Sequence, residues 1–358
     1  MFTEAIRPWT WIGPIAGWLL LGFHGSSGAW LAVMILVLLV SVLAAVHHAE
    51  VVAHRVGEPY GTLVLAVAVT IIEVSLIVAL IIVSDGKALA LARDTVFAAV
   101  MIILTGIVGL CLLVGGVRHH EQAFVRHGVN AALGVLAALA VLTLILPNYT
   151  TSAFGPVYSP SQLVMVAIVS LVLYAVFVLI QTVSHRDYFL PQGAAALDEE
   201  VHAALPSART AIASTVLLLV ALGAVVLLAK ALAPSIETMV VSAGAPKAVV
   251  GVLIALVVLL PEGVAAVRAA RANRLQTSLN LALGSALASI ALTIPAVAIV
   301  ALLNGWALIL GIDGKSTVLL ALSLFVASLS LSTGRTTVLQ GSVLLVIFAI
   351  YLFTTIVP

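Results

Sequence analysis

The chain has 358 residues, of which 63% are hydrophobic and 8% charged, with a formal net charge of +1. A soluble domain averages about 45–50% apolar and about 25% charged residues, so this chain lacks the polar side chains to cover itself in water. The near-neutral balance implies no nucleic-acid partner, and one cysteine, Cys111, excludes an intrachain disulfide or a cysteine-based metal centre. The expected surroundings are a lipid bilayer.

A hydrocarbon core about 30 Å thick needs about 20 residues of helix. Eleven candidate spans follow from the apolar runs, an all-α polytopic plan. The N-terminal segment, 1–29, carries Glu4 and Arg7 and a short apolar stretch, Trp11–Phe23. It has no small-residue cleavage site, so no removable signal peptide is read. Five spans at about 30–50, 61–83, 94–117, 129–146 and 161–184 form a first group, 30–184. A polar loop, 185–208, holds His185, Arg186, Asp187, Asp198, Glu199 and Glu200. Five more spans, at about 209–233, 246–267, 277–303, 316–333 and 338–356, form a second group, 209–358.

Lysine and arginine in the short loops orient such a chain. With the N-terminus inside, the inner loops collect Arg7, Arg55, Arg118, Arg126, Arg186, Arg209, Arg268, Arg271, Arg274 and Arg335. The outer loops collect Lys87, Arg93, Lys230, Lys247 and Lys315. This bias predicts a cytoplasmic N-terminus, a cytoplasmic acidic loop and an external C-terminus. An odd number of spans per group threads the second through the membrane in the opposite sense. Inverted-topology repeats of that kind place transporter sites near the bilayer midplane.

Within this plan two residues stand out. Glu73 and Glu262 each sit inside a long apolar stretch, one in each half. An acidic residue at the centre of a span costs about 2.5–3.5 kcal/mol on insertion scales, and it usually faces a cavity, a partner or an ion path. Pro261, directly before Glu262, removes one helical hydrogen bond. Thr70, one turn before Glu73, and Ser75 add hydroxyl oxygens, although a helical hydroxyl more often bonds its own backbone.

The span after each glutamate is the next informative region. Thr277, Ser278, Asn280, Gly284, Ser285, Ala288 and Ser289 make one helix unusually small and polar. Close helix packing explains the glycine and alanine, but an amide such as Asn280 is expensive in lipid and its carbonyl is a competent cation ligand. In the earlier half the equivalent span begins at Asp94–Thr95 and continues with Thr105, Gly106 and Gly109. Asp94 is expected near the outer mouth, in a solvated, capping or ion-attracting role.

Hard cations take oxygen ligands, and buried carboxylates also take up protons. Competition between the two for one pair of carboxylates is the physical basis of proton-coupled antiport. Eight of nine histidines, His47, His48, His54, His119, His120, His127, His185 and His202, fall near the predicted cytoplasmic side, and only His24 does not. Ordinary interfacial placement and a pH-sensing role are both open. Glu58–Pro59 reads as a helix start.

Three stretches carry a resemblance: GEPYGTLVLAVAVTIIEVSLIVALII (57–82), RDTVFAAVMIILTGIVGLCLLVGG (93–116) and PEGVAAVRAARANRLQTSLNLALGSALASIALTIPAV (261–297). They resemble the ChaA-type cation/proton exchangers, a branch of the calcium/cation antiporter superfamily. The resemblance covers nearly the whole chain, and the one-plus-five-plus-five plan with its acidic loop matches too. It implies two inverted repeats, each giving one glutamate, Glu73 and Glu262, to a central cation site. Gly284–Ser285 matches the glycine–serine of the helix after the second glutamate. The superfamily's Gly-Asn pair before each glutamate is replaced here by Val69–Thr70 and Val258–Leu259, which implies a range of cations rather than Ca²⁺ alone.

The expected function is therefore an inner-membrane antiporter exporting Ca²⁺, Na⁺ or K⁺ against entering protons by alternating access, the two five-helix halves moving against each other. Glu73 and Glu262 would hold the ion, with Asn280, Ser285 and Thr70 completing its shell. No enzymatic step or prosthetic group is expected. The partners are inorganic cations, protons and lipid, and a homo-oligomer is compatible with the plan. The rival is a proton-coupled transporter of a small organic solute, but the glutamate-bearing spans contain no Trp or Tyr to line a wider pocket. An intramembrane enzyme ranks lower, because no span offers a catalytic cluster.

Overall fold

In the computed structural model, residues 7–23, 25, 28–57, 60–83, 89–190, 206–242, 244, 246 and 248–357 are described. The acidic positions 198–200, together with Glu4, His24, Glu58–Pro59, Lys87, His202 and Lys247, lie outside the described residues. The described residues are mostly helical: α1 Pro8–Leu20, α2 Gly28–Val56, α3 Tyr60–Val83, α4 Leu91–Met101, α5 Val108–His119, α6 Arg126–Ala140, α7 Pro160–Leu179, α8 Ala208–Ser242, α9 Ala248–Arg271, α10 Leu275–Asn304, α11 Gly314–Leu331 and α12 Val338–Ile356. A π-helical stretch, Ile102–Ile107, joins α4 to α5 into one rod. Similar π stretches follow α6 (Val141–Ile145) and α7 (Ile180–Ser184).

Among the described residues, ten helices are long and apolar enough to cross a bilayer. The eleventh apolar segment, α1, has 13 residues. At 1.5 Å per residue it reaches only about 20 Å, short of the hydrocarbon thickness. Pro8 starts it at the position where a missing N–H costs nothing. Several helices overshoot their apolar runs. The predicted loop after residue 233 is a correction: α8 continues through Pro234 to Ser242, where the Thr238 hydroxyl donates to the Pro234 carbonyl. Helical hydrogen bonding does not stop where the hydrophobic run stops.

The chain divides into two compact units, residues 1–88 with 202–250 and residues 89–201 with 251–358. Each takes chain from both sequence halves, so the compact bodies are not the two five-helix groups. In the first unit α8 packs against α1, α2 and α3. The Trp18 indole donates to the Val220 carbonyl at 3.0 Å, and Gly17 lets α1 approach Leu228 of α8. His48, fully buried on α2, lies 3.2 Å from the Thr10 carbonyl of α1, and Trp9 packs on His47.

In the second unit α10 is the central helix, packed against α4, α5, α6 and α7. A close approach joins α5 and α12: a Cβ on Gly341 would lie 2.7 Å from the Gly109 carbonyl oxygen, and one on Gly116 would lie 2.7 Å from the Val338 nitrogen. Small residues facing each other in this way let two backbones meet where lipid offers no hydrophobic driving force. A two-residue antiparallel ribbon, β1 Gln122–Ala123 and β2 Arg335–Thr336, ties the loop before α6 to the loop before α12.

Candidate functional site

Glu73 belongs to the first unit. Along α3, Val67, Ile71 and Ile82 are exposed, whereas Val69, Thr70, Leu76 and Ile77 are buried. Glu73 lies on the buried side at 2% exposure, and it does not stand without an interaction partner. Thr70 donates its hydroxyl hydrogen to the Ala66 carbonyl at 2.8 Å. That is the backbone bond a helical hydroxyl prefers, and it leaves the oxygen's lone pairs available.

Glu262 belongs to the second unit. α9 carries two stripes of opposite character. Ala255, Val258, Glu262 and Ala266 are buried, while Leu256, Leu260 and Val264 are exposed. Glu262 is 7% exposed and also has an interaction partner. The helix runs unbroken through Pro261, so the missing N–H removes a bond without ending the element.

On α10 the more open line is the small, polar one read from the sequence. Thr277, Asn280, Gly284 and Ser285 are half-buried, while Ser278 and Ser289 are buried. A Cβ placed on Gly284 would meet nothing within 4 Å, so open space lies beside Gly284–Ser285. Asn280 heads a chain of amides. Its side-chain nitrogen donates to the Phe189 carbonyl, and its oxygen accepts from the Gln276 amide at 2.8 Å. The Gln276 oxygen in turn accepts from the Val125 N–H at 2.7 Å. Nearby, the buried Gln122 donates to the Ala270 carbonyl and to the Asn273 side chain, both at 2.9 Å. Gln122 and Gln276 were not among the sequence candidates. The four-residue spacing of Gln276 and Asn280 is the signal that could have found Gln276.

These bonds also sort the loops of the second unit. His119 reaches the Arg271 carbonyl at 3.0 Å and Arg335 pairs with Glu121 at 2.8 Å. With the ribbon and the amide chain, they gather Arg118, Arg126, Arg186, Arg271, Arg274 and Arg335 at one end. Tyr188 packs between His127 and His185 there, with ring centroids 5.3 and 5.1 Å apart. At the other end Arg93 bonds Asp94 at 2.8 Å and the Gly311 carbonyl at 2.9 Å, and Asn148 donates to Ile312. Asp94 is thus an ion-paired residue of the first turn of α4. Asp313 caps α11, accepting from the Ser316 N–H at 2.8 Å. Burial pushes its carboxyl up, but the Ser316 hydrogen bonds, Lys315 and Arg93 together hold it below the usual carboxylate range.

Among the described residues, no three His, Cys, Asp or Glu side chains cluster as a metal centre would require. The carboxylates on the buried sides of spans are few, and neutral oxygens accompany them. A sequence profile described as "Sodium/calcium exchanger protein" matches residues 26–183 and again 213–357. The chain belongs to that exchanger family. A relative from Sinorhizobium fredii, y4hA, is 47% identical over 98% of this chain and 96% of its own length. The sodium-potassium/proton antiporter ChaA of Escherichia coli is 38% identical over 96% of this chain and 94% of its own. Among solved structures, native YfkE superposes with a TM-score of 0.74 at 17% identity, covering 100% of both chains. At that identity the likeness establishes a shared fold. The family is one of transporters, which agrees with the absence of any expected enzymatic step.

Proposed function

We propose that the protein is a cation/proton antiporter that exports Na⁺, K⁺ or Ca²⁺ in exchange for protons by alternating access. The observation that carries this reading is the pair of carboxylates, one from each sequence half, each on the buried side of a membrane-length helix. Glu73 and Glu262 bind the cation when ionised and carry protons when not, so one site serves both ions in turn. Ser285 and the second lone pair of the Asn280 oxygen, with the Thr70 oxygen, complete the shell. Family membership supports this, as do the activities named for two relatives: sodium-potassium/proton antiport for ChaA, and Ca²⁺/H⁺ antiport for the Aphanothece halophytica protein, 26% identical over 86% of this chain. Those activities favour inorganic cations over a small organic solute. The cycle needs no prosthetic group. The arginine-rich end of the second unit is assigned to the cytoplasm of an inner membrane by the positive-inside rule.

The test is cation-stimulated proton flux in inverted vesicles, measured separately with Na⁺, K⁺ and Ca²⁺. Glu73→Gln and Glu262→Gln keep side-chain volume but cannot ionise, and each is expected to reduce flux to background with every cation. Wild-type flux in either variant refutes the shared site.

A further inference from the structure

The exposed stripe of α9 leads to a second site. Leu256, Leu260 and Val264 run toward Arg268 and Arg271, and together with Ile102, Gly106 and Ile107 of the π stretch and Phe348 of α12 they line an open cavity of about 500 Å³ within the second unit. The cavity is apolar along its length and cationic at one end. Glycines let its walls pack closely: a Cβ on Gly106 would lie 3.3 Å from the Phe348 ring, and one on Gly263 would lie 3.2 Å from Ile107. Neither guanidinium makes an ion pair among the described residues. Arg271 contributes only its backbone carbonyl, to His119.

We propose that this cavity holds an anionic phospholipid of the surrounding bilayer, with an acyl chain against Ile102, Leu110 and Leu260 and its phosphate on Arg268 and Arg271. Charge complementarity selects the occupant. Two arginines three residues apart on one helix face present planar forks that match phosphate oxygens, and basic pockets between spans are where anionic headgroups bind. A peptide segment in the apolar part would strand backbone polar groups in hydrocarbon. A cavity of this volume lies within the range of about 300–1,000 Å³ typical of ligand sites. The site has a structural consequence for transport: its wall is the π stretch and the reverse side of the helix bearing Glu262, so an occupant braces both. The proposal rests on the chain lying in a membrane and not on which ion it carries.

Native mass spectrometry of the purified full-length protein tests it, with phosphatidylglycerol and phosphatidylcholine of identical acyl chains titrated in competition. Phosphatidylglycerol is expected to bind with roughly 30-fold preference, because its net negative charge attracts both arginines whereas the choline cation cancels the same phosphate charge in phosphatidylcholine. The R268Q/R271Q variant is expected to lose that preference, and Leu110→Trp, which fills the apolar part, to weaken both lipids alike. Thermal unfolding without added lipid verifies that each variant is folded. If R268Q/R271Q does not fold, R268K/R271K, which keeps the charge but not the fork, is expected to show a reduced preference. Equal binding of the two lipids to the wild type overturns the proposal, as does full preference in a folded arginine variant. Displacement of the lipid by inorganic phosphate alone, or a dimer covering the cavity, overturns it as well. Glu262→Gln is expected to retain lipid preference, so a failure of the transport reading leaves this result readable.

Discussion

Glu73 and Glu262 were legible in the sequence because a lone charge in an apolar run is conspicuous whatever the fold. Their burial adds what composition could not supply, namely that neither points toward lipid. The amide of Gln122 was not legible, since its partners Ala270 and Asn273 lie about 150 residues away in sequence. A separate residue-level prediction concerns Asp313. Its carboxyl is held below the usual range in the folded protein, so the stability it contributes is present above the ordinary carboxylate pKa and is lost as pH falls through the folded value. Asp313→Ala is expected to lower stability by about 1 kcal/mol at pH 7, the typical worth of an N-cap. The deficit should shrink below about pH 4. Thermal unfolding midpoints of both proteins in detergent at the two pH values measure it, and a deficit that does not change with pH would contradict the assignment.

At the scale of elements, the spans were readable from hydropathy to within a few residues, but their ends and their internal irregularities were not. The rod from Leu91 to His119 contains a π stretch, which accommodates extra chain without composition marking it. Thr105 donates to the Met101 carbonyl inside it, as Thr143 does to Leu139 and Thr182 to Val178 in the other two π stretches. Threonines elsewhere make the same bond in regular helix, as Thr215 does to Ala211, so the residue type alone predicts no irregularity. The α5–α12 crossing gives a sharper test. Gly341→Ala would drive a methyl group against the Leu113 nitrogen and the Gly109 carbonyl. Because both obstacles are backbone, the helices must separate. A loss of about 1–3 kcal/mol is expected, read from thermal unfolding in detergent. Gly134→Ala, where an added Cβ meets nothing within 4 Å, is expected to be neutral or slightly stabilising because it favours helix.

At the scale of the whole molecule, arginine placement predicts an alternation of the loops, and the bonds of the second unit gather six of the ten predicted inner-loop arginines at one end. Which end faces the cytoplasm is testable because Cys111 is buried and gives little background labelling. Ser332→Cys, beside Arg335, should react with an impermeant maleimide only in inverted vesicles. Ser152→Cys, in the loop between Tyr149 and Pro160, should react only in right-side-out vesicles. Labelling of both from the same side would break the alternation. The grouping of helices was not legible, because hydropathy locates spans without saying which pack together. That grouping sets a timetable for assembly. The first compact unit needs residues 202–250 and the second needs residues through 358, so neither body can close while only the opening half of the chain has left the ribosome. Early helices must wait in the bilayer for late ones, exposed to quality-control proteases, and a message truncated after residue 200 should yield a product that is degraded rather than a half-transporter that persists.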